Sequence, residues 1–92
     1  MRSRFSAFAV GDASYLLATW HPSTRPADLN LDADLIWYRL DILGRRSGGP
    51  LDNAGTVEFR AFCKGPDGKS DQHETSRFVR EDRQWYYLDA LD

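Results

Sequence analysis

Two carboxylates and a hydroxyl that could carry out acid–base chemistry occur close together near the C-terminal end, at Glu74, Ser76 and Asp89. Two carboxylates beside an apolar wall can separate in pKa and share acid and base roles. The structural alternative pairs Glu74 with an arginine such as Arg4 or Arg60 and gives Ser76 a local hydrogen bond. Buried charges are usually paired, so this alternative stays open.

Histidines and arginines supply the other polar candidates. His21 follows a predicted helix, where it could interact with the negative helix end or act as a pocket base near neutral pH. His73 is expected on the strand face opposite Glu74, at a surface or interface. Arg4 and Arg77 could bind an anionic group bidentately, or they could tie the helices to the sheet through carboxylates.

Aromatic residues make up 13% of the chain. Large rings suit both a small core and the wall of a small-molecule pocket. The expected core and pocket wall contain Tyr15, Trp20, Trp37 and Trp85. The complete set of predicted pocket residues is Arg4, Tyr15, Trp20, His21, Trp37, Glu74, Ser76, Tyr87 and Asp89.

Metal and cofactor chemistry has no sequence signal. The two histidines fall in separate elements, and the single cysteine, Cys63, cannot form an intrachain disulfide or a cysteine-rich zinc knuckle. We expect Cys63 to be a small buried side chain on a strand. Gly48-Gly49-Pro50 lacks the Lys-Ser/Thr of a phosphate-binding loop. No cofactor and no metal are therefore predicted.

Charge and hydropathy exclude two classes of partner. The net charge is −2 and the pI is about 5.6, so the chain lacks the basic excess that duplex binding requires. No apolar stretch approaches the roughly 20 residues that span a bilayer. We expect no nucleic-acid or membrane partner, and we predict a cytoplasmic protein.

The elements that must position these residues change character near the middle of the chain. Apolar spacing predicts a helix over 3–10, with Gly11 at its left-handed end. Asp12 is then the N-cap of a second helix, which stops near His21 because Pro22 disfavours helical geometry before it. The loop that follows has room for a one-turn helix at 27–29.

A period of two begins at Leu35 and predicts strands. Short connections favour antiparallel pairing of consecutive strands, and the two helices are the elements available to cover one face. The expected fold class is α+β, with N-terminal helices on the concave side of a curved antiparallel sheet. Its predicted strands are Leu35–Leu43, Thr56–Lys64, Gln72–Arg80 and Gln84–Asp89, separated by a Gly44–Gly55 loop, a Gly65–Gly68 turn and a turn at Asp82-Arg83.

The last hairpin allows its two faces to be assigned. A two-residue turn at Asp82-Arg83 would place Phe78 opposite Tyr87, and Ser76 opposite Asp89. One face would then carry Glu74, Ser76, Phe78, Tyr87 and Asp89. The other would carry His73, Thr75, Arg77, Val79, Tyr86 and Leu88.

Several strings resemble the central domain of the YchJ-like family of bacterial proteins. They are Met-Arg-Ser-Arg-Phe-Ser-Ala-Phe at 1–8, Gly-Asp-Ala-Ser-Tyr-Leu at 11–16, Thr-Trp-His-Pro-Ser at 19–23, His-Glu-Thr-Ser-Arg-Phe at 73–78, and Trp-Tyr-Tyr at 85–87 followed by Asp89. The resemblance implies one nuclear-transport-factor-2-like (cystatin-like) domain over residues 1–92. Family members usually carry SEC-C zinc motifs beside this domain. This chain has one cysteine, so zinc binding does not carry over, and the resemblance implies no established activity.

Three functional hypotheses follow. The leading one is a non-catalytic module that binds an unknown small molecule or protein, since no nucleophile–base pair or metal ligand set is present in the sequence. The alternative is a ketosteroid-isomerase-like enzyme with Glu74 or Asp89 as general base and Tyr15 or His21 as donor. The third is homodimerisation through the exposed face of the sheet.

Overall fold

Two short helices precede a four-stranded sheet. The computed structural model describes residues 1–91, so Asp92, the last residue of the predicted domain, lies outside the described residues. The strands form one antiparallel meander in the order β1-β2-β3-β4, and the sheet curves around the helices, which confirms the predicted α+β fold. The elements are α1 (Arg2–Val10), α2 (Ala13–Ala18), β1 (Ile36–Ser47), β2 (Ala54–Gly65), β3 (Gly68–Glu81) and β4 (Gln84–Ala90).

The junction between the helices has the predicted local chemistry. Gly11 takes the left-handed conformation with φ 75° and ψ 30°, which glycine adopts without a Cβ penalty. The Asp12 N–H donates to the Ala7 carbonyl at 2.8 Å. The Asp12 carboxylate then accepts the Tyr15 N–H at 3.0 Å and caps α2. These bonds fix the angle at which α2 leaves α1.

Helix α2 is shorter than predicted. It ends at Ala18 rather than near His21, because the next residues bond to the main chain of β4. The Tyr87 N–H donates to the Thr19 carbonyl at 2.8 Å, and the His21 N–H donates to the Tyr87 carbonyl at 2.7 Å. Trp20 thereby forms a parallel bridge with Tyr87.

The long connection from α2 to β1 contains turns and bends. The one-turn helix predicted at 27–29 is wrong, since these residues are not helical. So short a helix fixes several dihedrals for one hydrogen bond and forms only when packing supports it. Within residues 1–91 no helix is long and apolar enough to span a lipid bilayer.

Strands β1 to β3 are longer than predicted, although β1 begins one residue later than expected. The glycine-rich stretch expected as a loop from Gly44 to Gly55 is paired at both ends, as Gly44↔Glu58 and Ser47↔Gly55. A Cβ on Gly55 would lie 2.8 Å from the Gly48 Cα, so a glycine is needed for the two strands to approach. The loop therefore shrinks to residues 48–53.

A β-bulge changes the register of the last hairpin. Asp82 and Arg83 both have positive φ, 51° and 68°, as in a type I′ turn, and Phe78 faces Tyr87 as predicted. Arg77 then pairs with Asp89, which leaves one extra residue, Leu88, on β4. The predicted pairing of Ser76 with Asp89 is wrong, because the bulge moves Asp89 to the opposite face.

The concave face of the sheet and the helices enclose a small core. Its buried apolar residues are Ala7 and Leu16 from the helices and Phe59, Ala61 and Cys63 from β2. The opposite face carries cross-strand ion pairs, each of which contributes little to stability at an exposed surface. These pairs are Arg60–Asp71, His73–Glu58 and Arg77–Asp89.

Candidate functional site

A cavity of about 130 Å³ lies between α1 and the concave face of the sheet. Side chains alternate between the two faces along β3, so every second residue from 72 to 76 points to this face. These residues, Gln72, Glu74 and Ser76, form the polar edge of the cavity. Met1, Arg4 and Ala61 also line it. The remaining wall consists of six aromatic rings, from Phe5, Phe8, Trp20, Trp37, Phe59 and Tyr87.

Arg4 is a buried cation that joins three elements. Its residue is only 5% exposed. Its Nη1 donates to the Leu16 carbonyl at 2.9 Å and to the Thr19 Oγ1 at 2.6 Å. The guanidinium carbon lies 4.6 Å from the Tyr87 ring centroid and 5.4 Å from that of Trp20. Burial lowers the pKa of the Arg4 guanidinium, which nevertheless stays charged at neutral pH.

Glu74 lines the cavity, and within residues 1–91 its carboxylate has one hydrogen-bond partner. The Ser76 Oγ donates to its Oε2 at 2.6 Å, and Ser76 is fully buried. Among residues 1–91 no cation lies within 4.0 Å of this carboxylate. The pairing considered for Glu74 is not observed, since Arg60 pairs with Asp71 and Arg4 bonds to the end of α2.

Three of the predicted pocket residues lie outside the cavity. Tyr15 is 37% exposed, and His21, past the shortened α2, contacts Ser23 Oγ at 2.7 Å and Glu81 Oε1 at 2.9 Å. Asp89 lies on the opposite face, where hydrogen bonds from Arg77 lower the pKa of its carboxyl. The cavity brings together the other candidates, which are Arg4, Trp20, Trp37, Glu74, Ser76 and Tyr87.

Sequence reasoning missed six residues of the cavity wall, which are Met1, Phe5, Phe8, Phe59, Ala61 and Gln72. The alternation that places Glu74 and Ser76 on the inner face of β3 also places Gln72 there, so this residue was predictable from the sequence. Phe5 and Phe8 form the apolar stripe of α1, and Phe59 belongs to the alternating pattern of β2. Those patterns show that a side chain faces inward. They do not distinguish a core contact from a cavity wall.

The described residues do not provide a set of metal ligands. Within the described part of the chain, no group of three or more His, Cys, Asp or Glu side chains could hold a metal ion. Cys63 is buried on β2, as predicted, and its Sγ lies 3.2 Å from the Ser70 Oγ.

The pKa of the Tyr87 phenol depends on burial and on the charges near the cavity. Burial raises the pKa of Tyr87 above its usual value, the negative charge of Glu74 raises it further, and Arg4 acts in the opposite direction. The folded state therefore favours the neutral phenol. The unfolded chain loses this proton at a lower pH, so the contribution of Tyr87 makes stability fall as the pH rises through the tyrosine range.

We expect Tyr87 to ionise at a higher pH than free tyrosine in NMR titrations of ring-labelled protein. Glu74→Gln removes one of the two charges that act most directly on the phenol, so the pKa of Tyr87 should move down toward its usual value. Glu58→Gln, on the opposite face, is the matched control and should leave this titration unchanged. If Glu74→Gln leaves the pKa of Tyr87 unchanged, the described arrangement of the cavity is contradicted.

Two helices lying in the concave side of a bent antiparallel sheet, above a cavity with aromatic walls, define a nuclear-transport-factor-2-like domain. The family described as the YchJ middle NTF2-like domain matches residues 1–90, and this chain belongs to that family. The resemblance seen in the sequence is therefore confirmed.

Similar proteins are longer than this chain. The UPF0225 protein of Chromobacterium violaceum is 53% identical over 95 residues, and the match covers 99% of this chain and 70% of the relative. That of Corynebacterium glutamicum is 53% identical over 87 residues, with 95% and 69% covered.

Two solved structures share the fold, and both are of SEC-C motif containing proteins. The Rhodopseudomonas palustris protein has a TM-score of 0.81 at 28% identity, covering 98% of this chain and 73% of that protein. The Psychrobacter arcticus protein has a TM-score of 0.75 at 30% identity, covering 97% and 56%. The present chain thus corresponds to one part of each neighbour.

Proposed function

We propose that this domain is a non-catalytic module that binds a small, largely apolar molecule in the cavity between its helices and sheet. The observation that carries the proposal is the cavity itself, about 130 Å³ in volume, with six aromatic rings and one polar edge. An engineered apolar cavity of about 150 Å³ in another protein binds benzene. The dimensions therefore suit a ligand about the size of one ring.

The geometry supports binding better than the enzymatic alternative. A ketosteroid-isomerase-like site combines a pocket carboxylate with a donor that stabilises the oxyanion. Glu74 lines the cavity, but Tyr15 and His21, the donors predicted for this chemistry, lie outside it. The second carboxylate, Asp89, lies on the opposite face of the sheet. Homodimerisation through that face stays a prediction.

Titration with toluene, a neutral single-ring probe, tests the proposal. We expect saturable chemical-shift changes at amides around the cavity, together with a change in the fluorescence of Trp20 and Trp37. Ala61→Leu places extra side-chain volume in the cavity from β2 and should abolish these changes. Ala54→Leu, at the exposed start of the same strand, is the matched control and should bind as the wild type does.

Circular dichroism establishes whether the Ala61→Leu domain is folded, and Ala61→Val replaces it if it is not. Toluene that fails to saturate the wild-type protein, or that binds equally well when the cavity is filled, would refute the assignment. Turnover of a substrate that Glu74→Gln abolishes would instead establish the enzymatic alternative.

A further inference from the structure

We propose that the cavity selects a ligand of one charge, namely a small organic cation in which an ammonium group is attached to an apolar body, with Glu74 as its counter-ion. This inference rests on the proposed function, because it names the ligand class for the same cavity. It follows from the partners of Glu74, from the rings beside it and from the way in which Arg4 is held.

Glu74 is a half-buried carboxylate that no cation of the described residues contacts directly, although the charge of Arg4 acts on it from beyond ion-pair distance. One of its oxygens accepts a hydrogen bond from the Ser76 hydroxyl at 2.6 Å, and Ser76 is fully buried. Over the described chain no lysine, arginine or histidine lies within 4.0 Å of Glu74. Carboxylates withdrawn from water are usually paired with a cation. A cationic ligand would complete the pairing that the fold leaves open.

The rings that surround the cavity favour the same charge. The face of an aromatic ring attracts a cation within about 6 Å of its centroid. The fold already uses this attraction for Arg4, whose guanidinium lies against Tyr87 and Trp20. Phe8 and Trp37, with centroids 6.4 Å apart and planes inclined at 56°, form a second angled pair on the cavity wall. An ammonium group beside Glu74 would have both a counter-ion and ring faces within reach.

The α-ammonium of Met1, a residue that lines the cavity, could favour an anionic ligand instead, and so could Arg4, which lines it as well. Its Nη1 is, however, bonded to the Leu16 carbonyl and to the Thr19 hydroxyl. Its charge packs beside the edge-to-face pair of Trp20 and Tyr87, and only 5% of the residue is exposed. An anion that entered the cavity would also meet Glu74, which repels it. At the sheet side of the cavity, where no cation contacts Glu74 within the described chain, the charge therefore favours a cationic ligand.

Three probes of similar size separate charge from shape, namely benzylamine, toluene and benzoate. We expect the affinity for benzylamine to exceed that for toluene by about tenfold or more, because a hydrogen bond to a charged group contributes that much to affinity. Benzoate should bind most weakly. Glu74→Gln should lower the affinity for benzylamine about tenfold or more and leave that for toluene within about twofold. Glu58→Gln, a carboxylate on the opposite face, should change neither affinity.

The outcomes distinguish this inference from the proposed function. Saturable toluene binding without a preference for benzylamine overturns the cation assignment and leaves the binding function intact. A preference for benzoate, or a benzylamine affinity that Glu74→Gln does not change, also overturns it. Toluene that fails to saturate the wild-type protein overturns the proposed binding function as well. If Glu74→Gln does not fold, Glu74→Asp, which shortens the carboxylate's reach, should weaken benzylamine binding selectively.

Discussion

Arg4→Ala is expected to lower the free energy of unfolding by about 3–5 kcal/mol, from the loss of charged hydrogen bonds and of two cation–ring contacts. The substitution leaves the Leu16 carbonyl and the Thr19 hydroxyl without their donor. It also leaves a gap beside the edge-to-face pair of Trp20 and Tyr87, whose ring centroids are 5.0 Å apart. Small domains are stable by only about 5–15 kcal/mol, so much of the protein should be unfolded at moderate temperature.

Urea unfolding followed by circular dichroism measures this loss. Arg2→Ala is the matched control, because Arg2 is exposed on the same helix and should change stability by no more than about 0.5 kcal/mol. Arg4→Lys should recover only part of the stability, since an ammonium keeps the charge but lacks the planar fork. Equal losses for Arg4→Ala and Arg2→Ala would show that the buried cation does not join the helices to β4.

Leu16→Ala should cost about 3–5 kcal/mol, the range found when buried leucines are truncated and the space around them collapses only in part. Leu16 is 0% exposed, and of the described residues only it and Ser76 have side chains that are fully buried. The apolar core is small, so few neighbouring side chains can move to fill the space. The expected loss is therefore at the upper end of that range.

Thermal unfolding, by calorimetry or circular dichroism, tests this expectation. The matched control is Leu51→Ala, in the loop between β1 and β2, where the leucine is 94% exposed. That variant should melt within a few degrees of the wild type. A similar, small decrease for Leu16→Ala would mean that the helices contribute little to the stability of the sheet.

The parts of the fold that were predictable from sequence depend on short-range chemistry. Gly11 and Asp12 specify the helix junction through a left-handed glycine and a side-chain cap, and both interactions involve only near neighbours. The turn at 65–68 similarly uses a proline and a glycine with φ of 113°. Alternation in period two then assigns Glu74 and Ser76 to the inner face without any knowledge of the helices.

The wrong predictions concern segments whose structure depends on contacts with residues far away in the sequence. The bulge at Leu88 has no local signal, and it lies where β4 is bonded to residues far away in the sequence. The Thr24 hydroxyl donates to the Leu88 carbonyl at 2.6 Å, and Thr19 and His21 bond to the main chain of Tyr87. These contacts end α2 early, so His21 lies beyond the helix end that the sequence predicted.

The bridge between Trp20 and Tyr87 also affects the order of folding. It joins segments near the two ends of the described chain, and the entropy cost of closing a loop grows with its length. Each hairpin of the meander closes a much shorter loop, and non-local contacts slow folding. We therefore expect the sheet to form before the helix pair docks, and the ring-lined hollow to be the last feature of the native state to appear during refolding.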